Sequence, residues 1–220
     1  AARIRDTLAY IRQGGEVALV SCYRQVITIW CAMGFLLWGL WAFLGRDLYD
    51  LGIRAPAEGT ELWGTIAALA YLAFVGLSLR GMARSDDPAK ALREQLGELS
   101  DILPTSKREE RWFYGVSTNA GVTEELIFRG FLLWYLAHFM GPVWAALVAT
   151  VLFTFAHAYQ GLRLLPGIAI TSAVMVGLYL YTQSLLLPIL LHIAVDAIQG
   201  RYFARFRRRK NPPIVPDAVA

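Results

Sequence analysis

Glu124 and Glu125 are adjacent carboxylates, and Arg129 follows four residues after the second. Adjacent acids beside a base can do proton-transfer chemistry. Their setting makes them unusual. Phe113 to Thr123 carries no charge, and Gly130 to Leu162 contains no Asp, Glu, Lys or Arg. The stretch Glu124-Glu125-Leu126-Ile127-Phe128-Arg129 therefore lies inside what otherwise reads as a membrane span. A charge at bilayer depth costs roughly 2.5 to 3.5 kcal/mol even on insertion scales. Charges so placed need a reason, and a functional site is the default one.

Glu125 and Arg129 are spaced i, i+4, share a helix face and can pair. A structural ion pair accounts for them without any chemistry, and a supporting role in catalysis is the alternative. Glu124 points about 100° away around the helix, as 3.6 residues per turn require, and has no local partner. A poorly solvated carboxylate of this kind can act as a general base near neutral pH.

The other ionisable side chains between Trp112 and Gly200 are few: His138, His157, Arg163, His192 and Asp196. His138 falls at a turn and Arg163 in a loop. His157 lies one turn after Phe153, and His192 and Asp196 lie one turn apart on one face. A lone His in a span often serves only a backbone carbonyl. Two His and one Asp on helices next to the glutamates suggest a shared, water-filled cavity in one half of the membrane.

These residues must be positioned by helices. The chain has 220 residues, 56% hydrophobic and 17% charged, with a net charge of +4. A soluble domain normally carries about 25% charged residues, so the composition predicts an all-α integral membrane protein. Six spans are expected, at about 26–45, 62–79, 112–137, 143–159, 166–181 and 185–200. Gly141-Pro142 and Thr182-Gln183-Ser184 are turns, and Pro166 and Pro188 suit first helical turns. Residues 1–111 form an N-terminal unit: a polar to amphipathic lead-in, two spans and a polar connecting segment. In the lead-in, Ile4, Leu8, Ile11 and Val17 offer an apolar side broken near Gly14-Gly15. In the connecting segment, 90–103 has helical apolar spacing up to Pro104. Residues 112–200 form the four-helix core that carries the ionisable groups, and 201–220 form a basic tail. Small residues of the fifth helix, among them Gly167, Ser172 and Gly177, suit close packing. Trp30, Trp38, Trp41, Trp63, Trp112, Trp134 and Trp144 include interfacial anchors. Cys22 and Cys31 are roughly 13 Å apart along a helix, too far for a disulfide.

Lys and Arg are concentrated in alternate segments: four in 1–25, seven in 80–111 and six in 201–210, against two in 46–61 and none in 138–142 or 182–184. The positive-inside rule then places both termini in the cytoplasm. The tail faces anionic headgroups, and no nucleic-acid role is expected.

The order Glu124-Glu125-x-x-x-Arg129, Phe153-x-x-x-His157, His192-x-x-x-Asp196 resembles the three-motif signature of the CAAX-protease and bacteriocin-processing (CPBP, Abi) family of intramembrane endopeptidases. The resemblance covers about residues 112–200. It implies hydrolysis of a peptide bond in a membrane-associated or lipidated peptide or protein, in a multi-pass protein of the bacterial cytoplasmic (inner) membrane. It further implies that Glu124 activates water with His157 assisting, that His192 and the residue four after it support the oxyanion, and that Glu125 and Arg129 orient the first motif. Ras-converting members of the family carry Asn where this chain has Asp196. An ionised Asp cannot donate to an oxyanion. Asp196 is therefore protonated, or orients His192 and keeps it cationic, or ligates a metal; the second option is preferred.

Zinc is the alternative cofactor, since Glu124, His157, His192 and Asp196 are all potential zinc ligands. No HExxH is present, and a metal-free site is favoured. Two other classes remain open: a non-catalytic membrane partner or immunity protein of the same fold, and a proton-coupled transporter, since buried carboxylates and His also build proton relays.

Overall fold

A computed structural model describes residues 2–84, 87, 90 and 96–210. Among them every regular element is helical. The α-helices are α1 (Ala2–Phe43), α2 (Glu61–Ala83), α3 (Lys107–Glu125), α4 (Leu133–Ala156), α5 (Leu165–Thr182) and α6 (Leu186–Lys210). A π-helical segment, Leu126–Leu132, joins α3 to α4 without a break.

Four helical stretches are long and apolar enough to cross a membrane: Arg5–Phe43, Glu61–Ala83, Lys107–Gln160 and Leu165–Thr182. The third of these contains both the third and fourth expected spans. Gly141 separates them with φ 76° and ψ 164°, a backbone conformation that glycine adopts without penalty. Pro142 follows it, where its missing N–H restarts a helix at little cost. The sixth expected span corresponds to the first part of α6. It is not among the four stretches; His192, Asp196 and Gln199 lower its mean hydropathy.

The ends differ more from expectation than the spans do. The lead-in is helical and bends at Gly15 (φ 55°, ψ −136°), close to the expected break. Leu8 and Ile11 are buried, but Val17 is exposed, so it is not part of the apolar side. The buried face continues instead through Ala18, Leu19, Val20 and Tyr23. Ile11, Leu19 and Tyr23 pack with Ile102, Trp112 and Phe113. Arg12 pairs with Asp101 at 2.7 Å, and the Tyr23 hydroxyl donates to the Ile102 carbonyl. The lead-in is thus held against the protein. Of the amphipathic helix expected over 90–103, residues 91–95 lie outside the described residues, and Gly97–Ile102 is a 3-10 turn.

At the other end, α6 does not stop at Gly200 but runs on to Lys210. Phe203 provides the reason: it is buried with Leu79 of α2 and Leu103. Trp41 is buried rather than interfacial, edge-on to Trp134 with ring centroids 4.7 Å apart. Both cysteines are free.

α3 is the central helix, packed against α1 on one side and α6 on the other; α2 and α5 pack on α6, and α4 on α5. A cluster of α2, α5 and α6 residues (Ala68, Val75, Met175, Leu178, Leu191, Val195) holds one half of the bundle. A second cluster (Leu133, Ala149, Val176, Tyr179, Leu185) holds the other.

α3 and α6 also approach closely at Gly121, one turn before the glutamates. A Cβ there would meet Ile193 Cγ1 at 2.5 Å, the Ile193 backbone nitrogen at 3.2 Å and the Ile189 carbonyl oxygen at 3.4 Å. Because part of that wall is backbone, α6 itself would have to move. Gly121→Ala is expected to lower stability by about 1 to 3 kcal/mol, the usual cost of overpacking. The midpoint of thermal unfolding in detergent measures it.

Candidate active site

Glu124 and Glu125 close α3, and the π segment begins immediately after them. Its i→i+5 hydrogen bonding widens the turn, a distortion frequent at functional sites. Arg129 nevertheless reaches back, and its Nη1 donates to Glu125 Oε1 at 2.9 Å. Both side chains are buried, with 0% and 1% of their surface exposed. Burying charges is tolerable only where pairing and further hydrogen bonds compensate. Arg129 Nη2 donates to Ser172 Oγ at 2.9 Å, and the guanidinium carbon lies 4.3 Å from the centre of the Phe153 ring.

Glu125 Oε1 accepts a second hydrogen bond, from His192 Nδ1 at 2.7 Å. That fixes the ring, so Nε2 points the other way. On that side lie Glu124 Oε2 at 4.0 Å and Asp196 Oδ2 at 3.7 Å. The two glutamates do not share a helix face, as the spacing requires, yet both reach one imidazole, from opposite sides.

His157 caps α4 at φ −93°, ψ 4°. Its Nδ1–H donates to the Phe153 carbonyl at 2.8 Å. In the neutral ring this leaves Nε2 as an acceptor, 3.5 Å from Glu124 Oε2. The ring packs against Phe153, with centroids 4.4 Å apart. Phe153 thus touches Arg129, His157 and His192.

Glu124 Oε2 is buried without a hydrogen-bond partner. Such atoms are rare and call for an explanation. Its two imidazole neighbours stand 3.5 and 4.0 Å away, the range in which a bridging water is the natural partner. Asp196 is more open, with 36% of its side chain exposed against 9% for Glu124.

All seven residues picked out in the sequence thus converge on one place: Glu124, Glu125, Arg129, Phe153, His157, His192 and Asp196. His138 and Arg163 do not join them. His138 bonds the Trp134 carbonyl. Two features escaped the sequence reading. Ser172 has the local pattern of a small packing residue, yet it serves a buried guanidinium that has more donors than one carboxylate can use. The Glu125–His192 hydrogen bond spans 67 positions and has no local signal. It also assigns the orienting contact on Nδ1 to Glu125, while Asp196 approaches from the Nε2 side.

A family model described as type II CAAX prenyl endopeptidase Rce1-like matches residues 111–198. Over this stretch, less than half of the chain, the protein is similar to the CAAX-protease family. The match includes every converging residue and Ser172. The chain matches no curated protein and no solved structure. CAAX proteases are membrane proteins, and the long apolar helices agree with that.

Removing the guanidinium would leave Glu125 an uncompensated buried charge, which typically costs about 3 to 5 kcal/mol. Arg129→Met is expected to destabilise the protein by that much. Glu125→Gln/Arg129→Met, which removes both charges, is expected to recover a large part of it. Thermal unfolding of the purified variants in one detergent compares them.

Proposed function

We propose that the protein is an intramembrane endopeptidase that hydrolyses a peptide bond in a membrane-associated or lipidated peptide or protein. The observation that carries this reading is the buried, unpartnered Glu124 Oε2 facing two imidazole nitrogens from two other helices. The similarity of residues 111–198 to the type II CAAX prenyl endopeptidase family supports the reaction class.

In the proposed mechanism a water sits between Glu124 Oε2 and His157 Nε2, donating one proton to each. Glu124 takes a proton as the water oxygen attacks the scissile carbonyl carbon. The oxyanion that forms accepts from a protonated His192 Nε2, while Nδ1–H stays on Glu125. Preorganised donors of this kind are typically worth about 2.7 to 4 kcal/mol in the transition state. On collapse the C–N bond breaks, and Glu124 returns its proton to the leaving amine. Hydroxyl has then added to the carbonyl carbon and hydrogen to the nitrogen. Asp196, beside Nε2, helps to retain the His192 proton. Arg129, Ser172 and Phe153 position the groups that react.

The proposal is metal-free. Six spans with both termini in the cytoplasm, in a bacterial inner membrane, complete the reading. The alternation of basic segments along the chain supports that orientation. Substrate would then reach the site from the lipid or from the cytoplasmic half of the bilayer.

Glu124→Gln and His157→Ala are each expected to lower cleavage by at least about 100-fold, the low end of general-base contributions, while the protein still inserts and accumulates. Reconstituted protein incubated with a membrane peptide library, with products read by mass spectrometry, measures this. Full activity in both variants would exclude the mechanism. Exhaustive chelation is expected to leave wild-type cleavage unchanged. Stoichiometric zinc whose removal abolishes cleavage would overturn the metal-free proposal.

A further inference from the structure

Two charge boundaries far apart in the sequence meet in space. On α3 the run Lys107-Arg108-Glu109-Glu110-Arg111 stops at Trp112, and the next charge is Glu124. On α6 the first basic residue is Arg201. The helices touch at this level, where Gly200 packs directly against the Phe113 ring with no room for a Cβ. Trp112 lies at the same depth with the Arg24 guanidinium 5.8 Å from its ring centre, in the manner of an interfacial anchor.

Some charges in this zone are already engaged. Arg108 pairs with Glu16 at 3.5 Å. Glu109 is buried in the capping box of α3, accepting from the Thr105 hydroxyl at 2.8 Å and the Ser106 nitrogen at 3.0 Å. The stripe Lys107, Glu110, Arg111 and Tyr114 lines an open cavity of about 460 Å³. Glu110 accepts from the Tyr114 hydroxyl at 3.1 Å, and Arg201 reaches the same tyrosine from α6. Arg205 follows one turn later. Lys107, Arg111 and Arg201 therefore border a cleft that holds one carboxylate.

Below the cations neither helix carries a charge before Glu124 and Asp196. Thr118 and Val122 continue the α3 stripe, and Ile198 precedes Arg201 on α6. All three are exposed. A cationic cleft above an exposed apolar seam is complementary to an amphiphile with a negative head. We propose that this cleft binds the phosphate of an anionic phospholipid, with its acyl chains lying along the α3–α6 seam. The site stands apart from the glutamates and does not depend on the proposed reaction.

Full-length protein in nanodiscs of equal phosphatidylglycerol and phosphatidylcholine, released for native mass spectrometry, tests this. Retained lipid is expected to be phosphatidylglycerol. Lys107→Gln, Arg111→Gln and Arg201→Gln, singly and together, are expected to lower its retention by about fivefold per cation removed, with unfolding midpoints unchanged. Arg46→Gln, at the opposite end of the bundle, is expected to leave retention as it is. Equal retention of phosphatidylcholine, or undiminished phosphatidylglycerol in the triple variant, would overturn the proposal. So would displacement of the lipid by millimolar inorganic phosphate, which would assign the cleft to a soluble anion.

Discussion

The fully buried carboxylate of Glu125 is the constraint on which the core depends. One oxygen accepts from both Arg129 and His192. A charge in that position is destabilising unless its partners are held in place, and three other helical elements hold them. The π segment presents Arg129, α5 presents Ser172 to the far side of the guanidinium, and α6 presents His192. The helices around Glu125 are therefore arranged by electrostatic need as much as by apolar packing. The same arrangement leaves Glu124, the adjacent residue, on the open side of the imidazole.

Close packing makes this geometry reachable. Gly121 allows α6 to lie against α3 one turn before the glutamates. Gly130 has a comparable part within the π segment, where a Cβ would stand 2.9 Å from the Leu51 carbonyl oxygen. Leu51 is buried, and the loop that carries it is tied to the α5–α6 turn by backbone hydrogen bonds from Ala57 to Thr182 and from Leu185 to Gly52. The connection between the first two spans thus braces the start of α6, and so the position of His192.

Most of the spans were legible in the sequence because lipid exposure leaves long uncharged runs, which composition reveals directly. Helix ends were less legible. α6 continues past Gly200 because Phe203 finds a buried place beside Leu79, a contact no local pattern announces. Val17 has the spacing of the lead-in's apolar side, but the bend at Gly15 turns it outward. The site residues stood out because ionisable groups are expensive in a span. Their division of labour was not visible. The i, i+4 rule found Glu125 with Arg129, whereas Glu125 with His192 is a tertiary contact between helices distant in sequence. Ser172 was hidden because a hydroxyl among small residues has the same appearance whether it packs or bonds.

In the proposed mechanism Glu125 acts through His192. A double-mutant cycle of Glu125→Gln and His192→Ala on the cleavage rate addresses it most directly, because coupled residues show non-additive losses. The double variant is expected to cleave about as slowly as His192→Ala alone. Losses that multiply, as for two independent groups, would contradict it.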